Sequence, residues 1–125
     1  MKLFINSRDE LRIIDLNKVV YLEACGNYTT FYFSDRHSRC ETSTLSSFFA
    51  AINSLCGSEE KSTFFRVGRS YIVNTSYISA INIPKRTIYF CNNDKSFITV
   101  PKKQCAVIRE FLFTKFKEHL NTKIV

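Results

Sequence analysis

An arginine on a short, stiff turn is the chemistry this sequence offers most directly. In Phe64-Phe65-Arg66-Val67-Gly68-Arg69-Ser70-Tyr71-Ile72-Val73-Asn74, the residues Phe65, Val67, Tyr71 and Val73 recur at alternate positions. That is the period of a strand with one face against a core. Gly68-Arg69-Ser70 interrupts the alternation, where a glycine permits a sharp turn or a close backbone approach. Such a turn aims Arg69, a planar bidentate donor, at a phosphate or a guanine edge. A half-buried strand carrying two solvated arginines is the other reading of the same segment.

Other chemistries lack their residues. His37 and His119 are the only imidazoles, each in a polar, turn-like or terminal context where solvation is expected. No paired-carboxylate site can be argued from the Asp and Glu residues. There is no G-x-S-x-G, no H-E-x-x-H and no phosphate-binding loop, and three glycines exclude a glycine-rich nucleotide cradle. The five cysteines (Cys25, Cys40, Cys56, Cys91, Cys105) form no C-x-x-C pair. Neither a zinc site nor a disulfide framework is indicated, and reduced, partly buried thiols are expected. No cofactor, metal or small-molecule ligand is implied. A binding module is expected rather than an enzyme.

Charge points to the partner. The net charge is +7, yet residues 84–125 alone hold nine Lys/Arg against three Asp/Glu. Positive charge concentrated in one third of a small chain favours a polyanion. At 125 residues the chain has room for one domain. No stretch approaches the roughly 18 apolar residues of a membrane helix. A soluble, cytoplasmic protein is expected.

The elements that must position Arg69 are mostly strands. Leu3–Asn6 and Leu11–Leu16 flank a polar turn, and Val19–Ala24 and Tyr28–Phe33 flank Gly26-Asn27, the chemistry of a tight connection. A short strand is expected over Arg39–Thr42. From Ser43 the period changes: Leu45, Phe48, Phe49, Ile52, Leu55 and Cys56 follow helical spacing, with Ser43 or Thr44 as cap and Gly57 as stop. Strands resume over 64–73, 78–83, 87–91 and 97–100, with Asn92-Asn93-Asp94-Lys95 as a hairpin turn. Pro101 is favourable at a helix start, and Cys105, Ile108, Leu112, Phe116 and Leu120 then form one apolar stripe.

In this order the chain resembles the LytTR family. The likeness rests on Val20-Tyr21-Leu22-Glu23-Ala24, Asn27-Tyr28-Thr29, Thr44-Leu45 and Phe65 through Asn74. It continues through Ile78, Ile81, Thr87–Cys91 and Ile98-Thr99-Val100, spanning about 15–112 with a helical extension over 113–125. The family comprises bacterial DNA-binding output domains of response regulators and free-standing regulators. The resemblance implies a mainly β fold, an elongated stack of small, mostly antiparallel sheets with one short helix and a C-terminal helix. It implies a sequence-specific transcriptional regulator whose loops enter successive major grooves of double-stranded DNA and bend the site, two copies commonly sitting on direct repeats. A chain of this length has no room for a receiver domain.

Carried over by position, the resemblance places DNA contacts at Asn27, Tyr28 and Thr29, at Arg66, Arg69 and Ser70, and at Lys102 and Lys103. Each residue has a second reading. Asn27 can serve only the turn, Tyr28 the core and Arg66 a surface or structural ion pair. Lys102 and Lys103 can simply decorate a first helical turn, where their charge opposes the helix dipole. Two departures stand out. Gly68 occupies the place of a histidine in the family pattern, and Lys102-Lys103 stand where an arginine is usual. Lysine is a mobile point charge, so base readout there gives way to phosphate anchoring. Two other functions fit the residues. One is a protein-interaction module docking through Ile108, Leu112 and Phe116. The other is a single-strand binder stacking bases on Tyr28, Phe31 and Tyr32.

Overall fold

The computed structural model describes residues 1–59, 61–91, 96–117 and 123–125. The chain opens with an antiparallel hairpin, β1 (Lys2–Asn6) and β2 (Leu11–Asp15). A five-stranded sheet follows, built from β3 (Val19–Cys25), β4 (Tyr28–Phe33), β5 (Ser38–Glu41), β6 (Phe64–Val67) and β7 (Tyr71–Asn74). Its order is β5-β4-β3-β7-β6, with every neighbouring pair antiparallel. Helix α1 (Leu45–Cys56) links β5 to β6. A third sheet holds β8 (Ile78–Asn82), β9 (Thr87–Phe90) and β10 (Phe97–Thr99), and α2 (Lys102–Lys117) closes the chain. The fold is mainly β, in small antiparallel sheets with two helices, as the sequence pattern implied.

The period of two puts unlike cores on the two faces of the central sheet. Leu22, Phe31, Phe64 and Ile72 point to a core shared with the first hairpin and α1. Tyr21, Phe65, Val67 and Val73 point to a second core made with the third sheet and α2. Val20 and Tyr21 both join the second core because the β3–β4 register shifts between Val19 and Tyr21. Such a bulge turns one extra side chain. Here the expectation of one buried face is corrected. Ile72 and Val73 are both fully buried, so β7 lies between two layers. Complete burial of a side chain such as Phe31 contributes roughly 1.5–3 kcal/mol of transfer free energy.

Local chemistry sets the helix ends. The Thr44 hydroxyl accepts from the Ser47 N–H at 3.2 Å, and Gly57 ends α1 with φ +88°. Leu45, Phe48 and Ile52 are its buried stripe. In α2, Cys105, Ile108 and Leu112 are buried, while Phe111 packs on Phe65 with ring centroids 4.6 Å apart. The first hairpin is tied to the central sheet by Arg12, whose Nε lies 2.6 and 2.8 Å from the carboxylate oxygens of buried Glu41.

Several boundaries differ from expectation. The strand expected over 39–42 runs Ser38–Glu41, and Leu16 leaves its strand for a 3-10 turn capped by Asp15. All five cysteines are free, but Cys25, Cys40 and Cys91 are exposed rather than partly buried. The hairpin turn expected at 92–95 and the residues His119 and Leu120 lie outside the described residues. Among the described residues no helix is long and apolar enough to cross a membrane.

Candidate nucleic-acid interface

Three segments far apart in sequence meet at one end of the central sheet. The turn Gly26-Asn27 joins β3 to β4, and Gly68-Arg69-Ser70 joins β6 to β7. Because β3 pairs with β7, the two turns lie side by side, and the Ala24 N–H donates to the Ser70 carbonyl at 2.8 Å. Gly68 has φ +62°, a left-handed backbone that costs most other residues roughly 1–2 kcal/mol. A Cβ built there would meet only Cγ and Cδ of Gln104, at 3.9 Å. Gln104 lies in the first turn of α2 beside Lys102 and Lys103. The Arg69 turn and the start of α2 are therefore neighbours.

The charged groups at this end are exposed and unopposed. Arg69, Lys102 and Lys103 are all exposed and carry no ion pair among the described residues. The carboxylate nearest this end on β3 is Glu23. It accepts from the Tyr32 hydroxyl at 3.0 Å and from the Tyr71 hydroxyl at 3.1 Å. Burial, then the hydrogen bond to Glu23, pushes the Tyr32 phenol up to about 12. The same causes raise Tyr71, and burial pushes Tyr21 up as well. Tyr21 stacks between Tyr32 (4.4 Å) and Phe90 (5.2 Å), which joins the central sheet to the third sheet.

The remaining candidates separate into surface and interior. Asn27, Tyr28 and Ser70 are exposed at the same end, with Tyr28 half in solvent at 50 %. Thr29 is fully buried, and its hydroxyl donates to the Ser43 carbonyl at 2.8 Å. That corrects the expectation of a contact from its side chain, which instead ties β4 to the start of α1. Arg66 is half-buried, and its guanidinium is engaged within the chain. Its Nε donates to the Gly68 carbonyl at 3.0 Å and its Nη1 to the Ser46 hydroxyl at 3.2 Å. Its guanidinium also lies 6.0 Å from the centre of the Phe49 ring.

The model of the LytTr DNA-binding domain family matches residues 9–113. The chain belongs to that family. A solved LytTr DNA-binding domain from Bacillus cereus shares the fold, with a TM-score of 0.64 at 21% identity. The match covers 89% of this chain and 95% of that one. No curated protein matches the chain.

Two further features of this LytTr domain escape a reading of its sequence. Gln104 faces the Gly68 turn across 36 residues of chain, a proximity with no local signal. The second is the tip Pro84-Lys85-Arg86, which lies beside the segment leading into α2 because the Val100 N–H donates to the Arg86 carbonyl at 2.9 Å. Its two adjacent cations were visible in the sequence, but their neighbour was not.

Proposed function

We propose that this LytTr domain is a sequence-specific double-stranded DNA-binding regulator of transcription, with no catalytic role, acting in the bacterial cytoplasm. One observation carries the reading. Turns 26–27 and 68–70 and the first turn of α2 converge at one end of a doubly packed sheet, presenting Arg69, Lys102 and Lys103 without acidic partners. The packing on both faces fixes the turns, so little ordering is required on binding. Arg69 and Asn27 read base edges in successive major grooves, and Tyr28 and Ser70 support that contact. Lys102 and Lys103 anchor phosphates, with gain from the counterions they release. The site bends as both contacts are made, and two copies occupy direct repeats. Arg66 acts as a positioning residue, holding the Gly68 carbonyl and with it the Arg69 turn. The chain acts as one domain; of the helical extension expected over 113–125, α2 runs to Lys117, residues 123–125 are not helical and the others lie outside the described residues.

The alternatives lose their residues. Ile108 is fully buried and Leu112 nearly so, which removes most of the apolar stripe from any partner. Phe31 is fully buried and Tyr32 is stacked on Tyr21, leaving Tyr28 without a second base platform.

Selection from a random duplex library, followed by fluorescence-polarisation titration over a salt series, tests the proposal. Arg69→Ala is expected to erode discrimination between selected and random duplexes. Lys102→Glu with Lys103→Glu is expected to weaken all duplexes alike and to flatten the salt dependence. Undiminished affinity and discrimination in both variants would overturn the assignment.

A further inference from the structure

The β8–β9 tip is built like a contact rather than a connection. Four hydrogen bonds organise it: Lys85 N–H to Asn82 Oδ1 at 3.0 Å, the Thr87 hydroxyl to the Lys85 carbonyl at 2.8 Å, Arg86 N–H to the Ile83 carbonyl at 3.0 Å, and Val100 N–H to the Arg86 carbonyl at 2.9 Å. Arg86 is held at φ +53°, a left-handed conformation that strains an arginine and suits glycine. Both Lys85 and Arg86 are exposed, and neither has an ion pair among the described residues. The ladder of β9 with β10 (Thr99 opposite Thr87) continues into the Val100–Arg86 bond. The tip therefore runs one strand spacing, roughly 4.8 Å, from the segment entering α2. Arg69, Lys102, Lys103, Lys85 and Arg86 thus come from three separate segments, and none of those segments (66–70, 84–87 and 100–104) contains an acidic residue.

We infer that Lys85 and Arg86 form an additional phosphate-binding site that extends the basic row past the start of α2 onto a duplex backbone. The inference rests on the DNA-binding reading above and adds a contact to it. The fold would tolerate glycine at 86 more easily than arginine, so the guanidinium is what the strained turn presents. The partner is the phosphodiester chain, not a base. A rigid tip carrying two adjacent cations fits a run of regularly spaced anions and carries no sequence information by itself.

The test uses the full chain and a pool of random-sequence duplex DNA, titrated by fluorescence polarisation from low to high salt. Arg86→Gly should lower the slope of log affinity against log salt by about 0.9, equivalent to about an eightfold loss at 0.1 M salt, with the difference vanishing toward 1 M. Its melting temperature should hold or rise, because glycine relieves the left-handed strain. Adding Lys85→Ala should lower the slope again by a similar amount. Arg36→Gly is the control. Arg36 has φ +74° but lies in the β4–β5 turn, at the opposite end of β4 from Gly26-Asn27. It should leave the slope unchanged. An unaltered slope in Arg86→Gly and in the double variant would overturn the tip contact. So would an equal drop in Arg36→Gly, or a loss of affinity that tracks a lowered melting temperature with the slope intact. A wild-type protein with no salt-dependent duplex affinity would instead overturn the DNA-binding reading itself.

Discussion

Asn74 is the residue whose removal should most directly loosen the two strands that carry the candidate turns. It is 3 % exposed at the end of β7. Its Nδ2 donates to the Val19 carbonyl at 2.9 Å and its Oδ1 accepts from the Ser76 N–H at 3.1 Å. The β3–β7 ladder stops at the Tyr21–Val73 pair, so the Asn74 amide extends the joint past the bulge to fully buried Val19. Asn74→Ala strands that carbonyl at a cost of about 1–3 kcal/mol. It also removes the cap of the following 3-10 turn, at a cost of about 1 kcal/mol. A total of about 2–4 kcal/mol lowers the melting temperature by about 8–16 °C for a chain of this size. Asn74→Asp separates the two roles. It keeps the acceptor for Ser76 but, when ionised, aims a carboxylate at the Val19 carbonyl. It should therefore be at least as unstable at neutral pH and recover at acid pH, where the protonated carboxyl can donate. Urea denaturation at pH 7 and pH 4 measures both effects. A loss under about 0.5 kcal/mol in Asn74→Ala, the range of an ordinary surface change, would refute the burial argument. An Asn74→Asp deficit indifferent to pH would refute the donor role.

Arg66→Met should keep the salt slope of duplex binding while reducing discrimination between selected and random sites, because the side chain holds the Gly68 carbonyl rather than a phosphate. A slope lowered by about 0.9 would instead make Arg66 a direct phosphate contact. Tyr32 links stability to alkaline pH. Its pKa is raised in the folded protein from 10.0 to about 12, so its stabilisation is complete below pH 10 and is lost as pH rises through about 12. Tyr32→Phe should flatten the fall in stability between those values. Chemical denaturation at pH 8 and pH 11 reads the difference, and an identical fall in wild type and variant would count against a Tyr32 phenol raised by burial and by the Glu23 hydrogen bond.

How much was legible varies by element. Strand periods, the Thr44 and Gly57 helix signals and the Gly68 turn depend on neighbours within a few residues, and each agrees with the structure. The burial of β7 on both faces was not legible. Alternation in Phe65, Val67, Tyr71 and Val73 marks one core, while Ile72 and Asn74 acquire the other only once α1 and the first hairpin fold over them. Arg66 and Thr29 show the same limit within the candidate site. Their types and spacing suit a nucleic-acid contact, but the Ser46 hydroxyl that engages Arg66 and the Ser43 carbonyl that engages Thr29 come from the start of α1, 20 and 14 residues along the chain.

The sequence by itself determined the family, the β-rich pattern, the basic C-terminal third and Arg69 on a glycine turn, because these follow from residue type and short-range spacing. Only the tertiary structure decided which cations stand together. Pairing of β3 with β7 brings turn 26–27 to turn 68–70, helix α2 sets Gln104 against Gly68, and the β9–β10 ladder carries Lys85 and Arg86 to the start of α2. Those proximities arise from long-range strand pairing and core packing, whose partners are separated by dozens of residues and leave no local mark.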